Sequence, residues 1–325
     1  MPFVFGPVPS RRLGQSLGID LIPSKTCTFD CLYCQVGRTT SKKLRPAPFV
    51  DVRAVTDEIR EKLRKCDTDA ITLSGSGEPT LNSQIGQVIA AVKKMTEKRV
   101  VLLTNGSLFW EKETRSRALQ ADIVMPTLTS AFENTFRKIH RPHPKLHLDM
   151  IVNGLKALRR EYKGRLFLEI VLLAGINESD EELEALRLLT DRISPDRIQL
   201  NTVIRPPVDS RAMPLDRIRL EDIRIFFGDK AEIVTGDPVT PKGKNRDSKA
   251  ASLLEMIRRR PLKPVDISNT LALSPDEVED LLKGLVIKGY IRKQDHSGDI
   301  YYVSTQQIQV GNNTYKNAEN DEHIR

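Results

Sequence analysis

Cys27-Thr28-Phe29-Asp30-Cys31-Leu32-Tyr33-Cys34 puts three thiols within eight residues, spaced by three residues and then by two. Thiolates drawn this close together converge on metal. A structural zinc site is closed by four ligands, usually as two separated pairs, so three cysteines are an odd set for zinc. A cubane [4Fe-4S] cluster held by three cysteines leaves one iron open to an exogenous ligand, and an open iron is a reactive one. The competing reading is that small buried cysteines merely pack. Against it, three of the chain's four cysteines fall in one run, which is crossed by the turn-forming Thr28 and Asp30.

The run follows an apolar stretch at residues 19–22, the first of six. The others are 70–73, 100–103, 123–128, 166–172 and 198–203, all rich in valine, isoleucine and leucine. Between them lie charge-rich stretches at 52–65, 84–94, 148–162 and 180–191, with apolar residues at three and four spacing. Alternating strands and helices predict an α/β protein with a parallel sheet. Six such units fit an incomplete TIM-type barrel, an open (β/α)6 arc, with reactive groups at the C-terminal ends of its strands. The cysteine run, directly after the first strand, agrees with that placement.

Beyond Arg205-Pro206-Pro207 the pattern changes. A helix is predicted at 215–227 and a last strand at 231–234, so the barrel with its extensions takes residues 1–235. Residues 236–247, with Pro238, Pro241 and Gly243, read as a linker. A second domain at 248–305 has predicted helices at 253–259, 265–271 and 274–288. Ser274 is the expected N-cap of the last, Pro275 its first residue, and Gly289 its stop. A predicted hairpin over 290–303 completes a small unit that resembles a winged helix-turn-helix. The polar tail at 306–325 has few apolar residues and is expected to be disordered.

Candidate chemistry gathers at predicted strand ends. After the second comes Ser74-Gly75-Ser76-Gly77-Glu78-Pro79-Thr80, where glycines let backbone approach a ligand and Glu78 can accept hydrogen bonds from an ammonium group. The third ends in Thr104-Asn105-Gly106 and the fourth in Thr127-Leu128-Thr129-Ser130, hydroxyl and amide groups suited to ribose or carboxylate. Capping and turn roles fit these residues as well. Glu169 and Asn201 are polar residues in apolar runs, and Arg205 sits at a strand end. His140, His143 and His147 crowd one short segment, but Pro142 and Pro144 prevent the single helix that would align their rings. Cys66 stands alone at a predicted helix end and reads as packing.

The cysteine spacing, with Tyr33 before the last thiol, resembles the cluster loop of the radical S-adenosylmethionine (radical SAM) superfamily. The resemblance implies a [4Fe-4S] cluster on Cys27, Cys31 and Cys34, with S-adenosyl-L-methionine (SAM) chelating the open iron. Reductive cleavage of SAM then yields a 5′-deoxyadenosyl radical that abstracts hydrogen from a substrate. It also implies cofactor contacts from Tyr33, from Gly75, Ser76, Gly77 and Glu78, which resemble the superfamily's Gly-Gly-Glu element, and from Asn105, Thr129 and Ser130. Ser76 stands where a glycine is common, and Thr127 and Thr129 replace a usual serine and aspartate. Arg141, in Ile139-His140-Arg141-Pro142, resembles a loop element of related proteins and could meet an anion. The opening residues 6–20, running into the cysteines, resemble stand-alone iron-sulfur oxidoreductases related to the wyosine-tRNA synthetases. Those synthetases hold a second cluster on further cysteines, for which this chain has none to spare.

Composition frames the partners. The chain has 325 residues, 39% of them hydrophobic, enough for a full core and a small second domain. No run approaches the ~20 apolar residues of a membrane span, and no charged-then-apolar leader opens it, so a cytoplasmic enzyme without a membrane partner is expected. The net charge is +8. Residues 1–50 carry Arg11, Arg12, Lys25, Arg38, Lys42, Lys43 and Arg45 against Asp20 and Asp30, a rim that would attract phosphate or carboxylate groups. The resemblance adds an electron donor such as flavodoxin or ferredoxin. Three readings stay open: a radical SAM enzyme acting on tRNA or an anionic metabolite, one modifying a peptide or protein docked by the winged domain, and an iron-sulfur redox-sensing regulator. The predicted third helix of that domain argues against DNA, since Asp276, Glu277, Glu279 and Asp280 face a single Lys283.

Overall fold

The computed structural model describes residues 2–234 and 249–305. Its strands are β1 (Val4–Ser10), β2 (Gly14–Ile19), β3 (Thr26–Cys27), β4 (Ser41–Lys42), β5 (Ala70–Leu73), β6 (Arg99–Thr104), β7 (Ile123–Pro126), β8 (Arg165–Leu172), β9 (Arg197–Thr202), β10 (Ala231–Ile233), β11 (Ile291–His296) and β12 (Asp299–Ser304). Its helices are α1 (Val52–Lys65), α2 (Ile85–Met95), α3 (Lys112–Ala118), α4 (Glu133–His140), α5 (Leu148–Glu161), α6 (Asp180–Ile193), α7 (Arg217–Phe227), α8 (Lys249–Arg259), α9 (Pro264–Leu271) and α10 (Pro275–Ile287).

Eight strands form one sheet in the order β1-β2-β5-β6-β7-β8-β9-β10. All neighbours from β2 to β10 run parallel, joined by helices, and only β1 is antiparallel. The architecture is α/β with a mostly parallel sheet, as the alternation predicts. The first parallel strand lies at Gly14–Ile19 rather than 19–22, because β1 precedes it and shifts the register of the whole opening. Pro7 and Pro9 lack a ladder N–H, and β1 tolerates them at the sheet edge with a register break between Phe5 and Val8.

Side chains alternate along each strand. Ile71, Leu73, Val100, Leu102, Leu168, Ile170 and Leu200 face the helices and pack with Val55, Ile59, Val88, Ile89, Ile151, Leu155 and Leu186. The opposite face begins with an apolar floor of Leu13, Ala70, Val101, Ile123, Met125 and Phe167. Above that floor it turns polar, with Ser16, Thr72, Thr127, Glu169 and Asn201 (first and last on β2 and β9). The helices start where the sequence supplies caps: Asp51 accepts from Arg53 N, Ser179 from Glu182 N, and Ser274 and Glu277 cap each other's backbone at α10.

α8, α9, α10 and the antiparallel β11-β12 hairpin make the C-terminal segment. Its core of Leu253, Met256, Ile257, Ile267, Leu271, Val278 and Leu282 is completed by Phe5 and Val8 of β1. The segment is also fastened to the strand ends: the Tyr301 hydroxyl donates to Ile204 O (2.7 Å), and Arg259 donates to Pro2 O (2.8 Å) with its guanidinium over the Phe5 ring. The expected linker at 236–247 and tail at 306–325 lie outside the described residues. Among the described residues, no helix is long and apolar enough to cross a membrane.

Candidate functional site

The cysteine loop leaves the sheet through β3, which pairs in parallel with β4. Main-chain bonds fasten its far side to the end of α4: Leu32 N donates to Ile139 O (2.9 Å), Asp30 N to His140 O (2.9 Å) and His143 N to Thr28 O (2.8 Å). Phe29 packs on His140 and Phe136, and the His140 Nδ1 lies 3.2 Å from Cys31 Sγ. Burial lowers the His140 pKa to about 3, so this ring is neutral. Cys27 Sγ accepts from Phe29 N (3.5 Å) and Asn105 Nδ2 (3.6 Å). All three thiols are free. Burial pushes Cys27 up to about 12 and raises Cys31 and Cys34 as well, with the Lys25 ammonium among the groups that pull Cys34 back. Such thiols ionise only when a cation is beside them.

An ion network braces the loop from outside. Asp209 takes Arg141, Arg38 (3.2 Å) and Arg211 (2.9 Å), while Asp30 takes Arg38 (3.1 Å) and accepts from Thr39 N (2.9 Å). Arg141, expected to meet a ligand, is thus engaged by Asp209.

The glycine loop after β5 lies against the cysteine loop. Lys25 N donates to Ser76 O (3.0 Å) and Glu78 N to Thr26 O (3.2 Å). A Cβ on Gly77 would sit 1.8 Å from Thr26 O, so no other residue fits there. Gly75 has φ +148° and carries its backbone past the Asp20 carboxylate, which a Cβ would strike at 2.2 Å. Ser76 turns away from the cavity and donates to Asp20 Oδ2 (2.7 Å). Glu78 is 2% exposed. Its Oε1 accepts from Thr80 N (3.0 Å), Thr80 Oγ1 (2.6 Å) and Thr104 Oγ1 (2.6 Å), and its Oε2 from Asn105 N (2.7 Å). Oε2 keeps one acceptor position open. Asn105 Nδ2 also donates to Thr28 Oγ1 (2.7 Å), tying β6 to the cysteine loop.

These groups line one cavity of about 410 Å³ at the C-terminal strand ends. Cys27, Cys31, Tyr33 and Cys34 lie on it with Gly75, Gly77, Glu78 and Asn105. Its far side is basic, with Arg11 and Arg12 from the β1-β2 turn, Arg205 after β9, and Arg259 and Arg260 at the end of α8. Arg12 pairs with Glu169 (2.8 Å) and donates to Gln199 Oε1 (3.1 Å). Glu169 further accepts from Asn201 Nδ2 (3.2 Å) and Thr127 Oγ1 (3.1 Å). Burial alone would raise the Glu169 pKa, but Arg12 and these bonds hold it below the ordinary value. Burial, then the neighbouring Cys31 and Glu169, pushes the Tyr33 hydroxyl well up.

Three sequence candidates do not line the cavity: Ser76, Thr129 and Ser130. Ser130 Oγ donates to Glu182 Oε1 (2.6 Å) and accepts from Phe132 N (3.0 Å), so it orders the turn that leads into α4. Thr129 is fully buried, and its carbonyl accepts from Asn177 Nδ2 (2.8 Å). The position lining the cavity is Thr127, two residues earlier and just past the end of β7, where its hydroxyl meets Glu169. The histidines separate: His140 faces Cys31, His143 Nδ1 accepts from Lys145 N (3.3 Å), and His147 meets Arg137 and Glu133. Sequence reasoning missed Asp20, Arg12 and Gln199 as partners within the site. No local signal marks them, because their partners lie on other strands.

A three-thiol loop and a glycine-glutamate loop, facing each other at the C-terminal end of a parallel sheet, define an enzyme class. The chain belongs to the radical SAM superfamily, whose family model matches residues 21–189. It is therefore an enzyme of a family that uses a [4Fe-4S] cluster and S-adenosylmethionine. More narrowly, it is similar to a UPF0026 protein of Methanocaldococcus jannaschii, 31% identical over 313 residues that cover 93% of this chain and 96% of the other. It is also 38% identical over 307 residues to a Brachyspira hyodysenteriae protein named GTPase Obg; the match covers 92% of this chain and 45% of that protein, so the chain spans under half its length. Among solved structures it resembles a radical SAM methyltransferase from Sphaerobacter thermophilus, at 16% identity and a TM-score of 0.49, over 67% of this chain and 65% of the other.

Proposed function

We propose that this protein is a radical SAM enzyme whose [4Fe-4S] cluster is held by Cys27, Cys31 and Cys34, and whose substrate is an anion bound in the same cavity. The observation that carries the reading is the shared lining: three free thiols at one end, Glu78 and Asn105 beside them, and five arginines opposite. The donor set fits a polynuclear cluster. Three half-buried thiols border a cavity of about 410 Å³, while among the described residues no three metal-binding side chains converge on a single ion. When bound, the cluster supplies an electron that splits SAM to methionine and a 5′-deoxyadenosyl radical, with flavodoxin or ferredoxin as the donor.

The chain's own residues have distinct tasks. Asn105 and the Phe29 amide hold Cys27 Sγ in place and favour its charged form. The open acceptor position on Glu78 Oε2 suits the ammonium of SAM, and Gly75 and Gly77 let it come close to backbone. Arg12 and Glu169 form a fixed wall across the cavity, and Tyr33 closes it near Cys31. The strands β2 and β5 to β9, with their helices, are read as a partial TIM-type barrel of six units.

The C-terminal segment has the element order of a winged helix-turn-helix, but its use here is as a lid. The carboxylates of α10, Asp276, Glu277, Glu279 and Asp280, are all exposed, whereas Arg259 and Arg260 point at the cavity. A DNA-binding sensor would expose the reverse. The likeness of residues 6–20 to relatives of wyosine-tRNA synthetases supports the radical chemistry, and free, reduced thiols suit a cytoplasmic setting.

The test is reconstituted, reduced protein supplied with SAM and with cell metabolites separated on an anion exchanger. The retained fraction should raise 5′-deoxyadenosine release above the uncoupled rate, and the flow-through should not. Stimulation by the flow-through alone overturns the anionic assignment.

A further inference from the structure

Five arginines line the cavity, and two have protein partners for their charge. Arg12 is held by Glu169, and Arg259 lies 3.6 Å from Asp20. The other three do not. Arg11 Nη1 donates to Val234 O (2.8 Å) and, among the described residues, meets no carboxylate at ion-pair distance. Among the described residues, the guanidiniums of Arg205 and Arg260 have neither an ion pair nor a hydrogen bond, and Arg205 Nε is sealed from solvent without an acceptor. A half-buried guanidinium with no ion pair is costly, and three close enough to repel one another are more so.

Arg11, Arg205 and Arg260 share one electrostatic environment. Burial is the largest influence lowering the proton affinity of each, and the Arg11 charge is further opposed by Arg205, and that of Arg260 by Arg205 and Arg11. One carboxylate, the buried Asp266 on α9, favours all three. Three cations against one shared anion leave an excess of two positive charges. They come from three parts of the chain: the β1-β2 turn, the end of β9 and the end of α8. Arg260 is positioned there because Arg259 reaches Asp20 and Pro2 while Tyr301 anchors to Ile204.

We propose that Arg11, Arg205 and Arg260 form a receptor for the phosphate dianion of a small phosphomonoester, which is the substrate group that positions the reacting carbon. The assignment rests on the radical SAM reading for the word substrate, but the anion site stands on its own geometry. Guanidinium forks suit phosphate oxygens, and a phosphomonoester supplies the two missing negative charges. A small molecule is favoured over nucleic acid because the arginines line a cavity at the C-terminal end of α8, while the exposed face of α10 is acidic.

The test uses the full chain and inorganic phosphate at constant ionic strength, without SAM or reductant, read by thermal unfolding. Wild type should show a saturable rise in Tm with phosphate and none with chloride. Arg205→Gln and Arg260→Gln should each weaken the phosphate response about tenfold or more, Arg205→Lys should keep part of it, and Arg60→Gln on the exposed face of α1 should leave it unchanged. In the absence of phosphate, R205Q should melt at or above wild type, since it removes an unpaired buried charge; a merely structural arginine would do the opposite. Ribose 5-phosphate should compete with phosphate, and tRNA should not. No phosphate response in wild type, unchanged responses in R205Q and R260Q, or competition by tRNA alone would each overturn the proposal. Measuring 5′-deoxyadenosine in parallel separates the two readings: phosphate binding without SAM cleavage sinks the radical assignment alone, and cleavage without phosphate binding sinks the receptor alone.

Discussion

Glu78→Gln probes how the site is built. The Glu78 carboxylate takes four donors, of which Thr80 N and Asn105 N are backbone groups at 3.0 and 2.7 Å, one on each oxygen. The Thr80 and Thr104 hydroxyls can rotate to accept from an amide, but a backbone N–H cannot. Whichever way the new amide turns, its NH2 faces one of these N–H groups and leaves it unpaired. A buried unsatisfied donor costs about 1–3 kcal/mol. Burial also raises the Glu78 pKa, so the ionised carboxylate carries a desolvation penalty that the amide lacks, and the net loss should fall near ~1–2 kcal/mol. For a chain of this size that is a fall of a few degrees in Tm. Thermal melts and equilibrium dialysis with SAM, on reconstituted protein, give the two readouts. Thr104→Val should cost a similar amount of stability yet leave SAM affinity nearly intact, because the carboxylate remains. An E78Q protein that melts with wild type and binds SAM as tightly would refute both roles given to this residue.

Gly77→Ala places a methyl where Thr26 O already sits, so the two loops must separate; iron bound after reconstitution should drop severely, and wild-type iron content would contradict the contact. Asp209 is held well below the usual carboxyl range, first by its hydrogen bond from Arg211. Its folded pKa is depressed, so its stabilisation is present above about pH 4 and is lost as pH falls. Asp209→Asn should therefore lose about 1.5–3 kcal/mol at neutral pH and show a flatter acid limb in denaturant titrations, the two proteins converging at low pH. Arg12→Met leaves Glu169 unpaired inside the cavity and should cost about 3–5 kcal/mol, whereas Arg12→Met with Glu169→Leu should recover most of that loss; equal damage in both would deny the pairing.

The cysteine run, the Gly77-Glu78 turn and the alternation of strands with helices were legible because each is local, written in spacing or period. α1 was read to its residues, since Asp51 caps it and Cys66 ends it. α3 and α4 were not, being short segments whose few apolar residues give no sustained period. β1 was hidden by Pro7 and Pro9, which only an edge strand accommodates. Thr129 and Ser130 were placed in the site from a resemblance, whereas the chain leaves the sheet after Pro126 and brings Thr127 to the cavity, with Ser130 turned to Glu182. The wall of the cavity was the least readable part. Arg12 and Glu169 are 157 positions apart in sequence yet 2.8 Å apart in space, and such pairs are made by topology, not by pattern. The histidine run showed the converse, a dense local signal that the fold disperses, leaving His140 as a neutral support for Cys31.

The central claim is that these three thiols hold the cluster that cleaves SAM. Its most direct test is anaerobic reconstitution with iron and sulfide, reduction, addition of SAM, and quantitation of 5′-deoxyadenosine for wild type and for the Cys27→Ala, Cys31→Ala, Cys34→Ala triple variant. Wild type should bind a [4Fe-4S] cluster and release 5′-deoxyadenosine with an equal amount of methionine, while the folded triple variant should do neither. A fully loaded wild type that leaves SAM intact, or a triple variant that still assembles the cluster, would contradict the account.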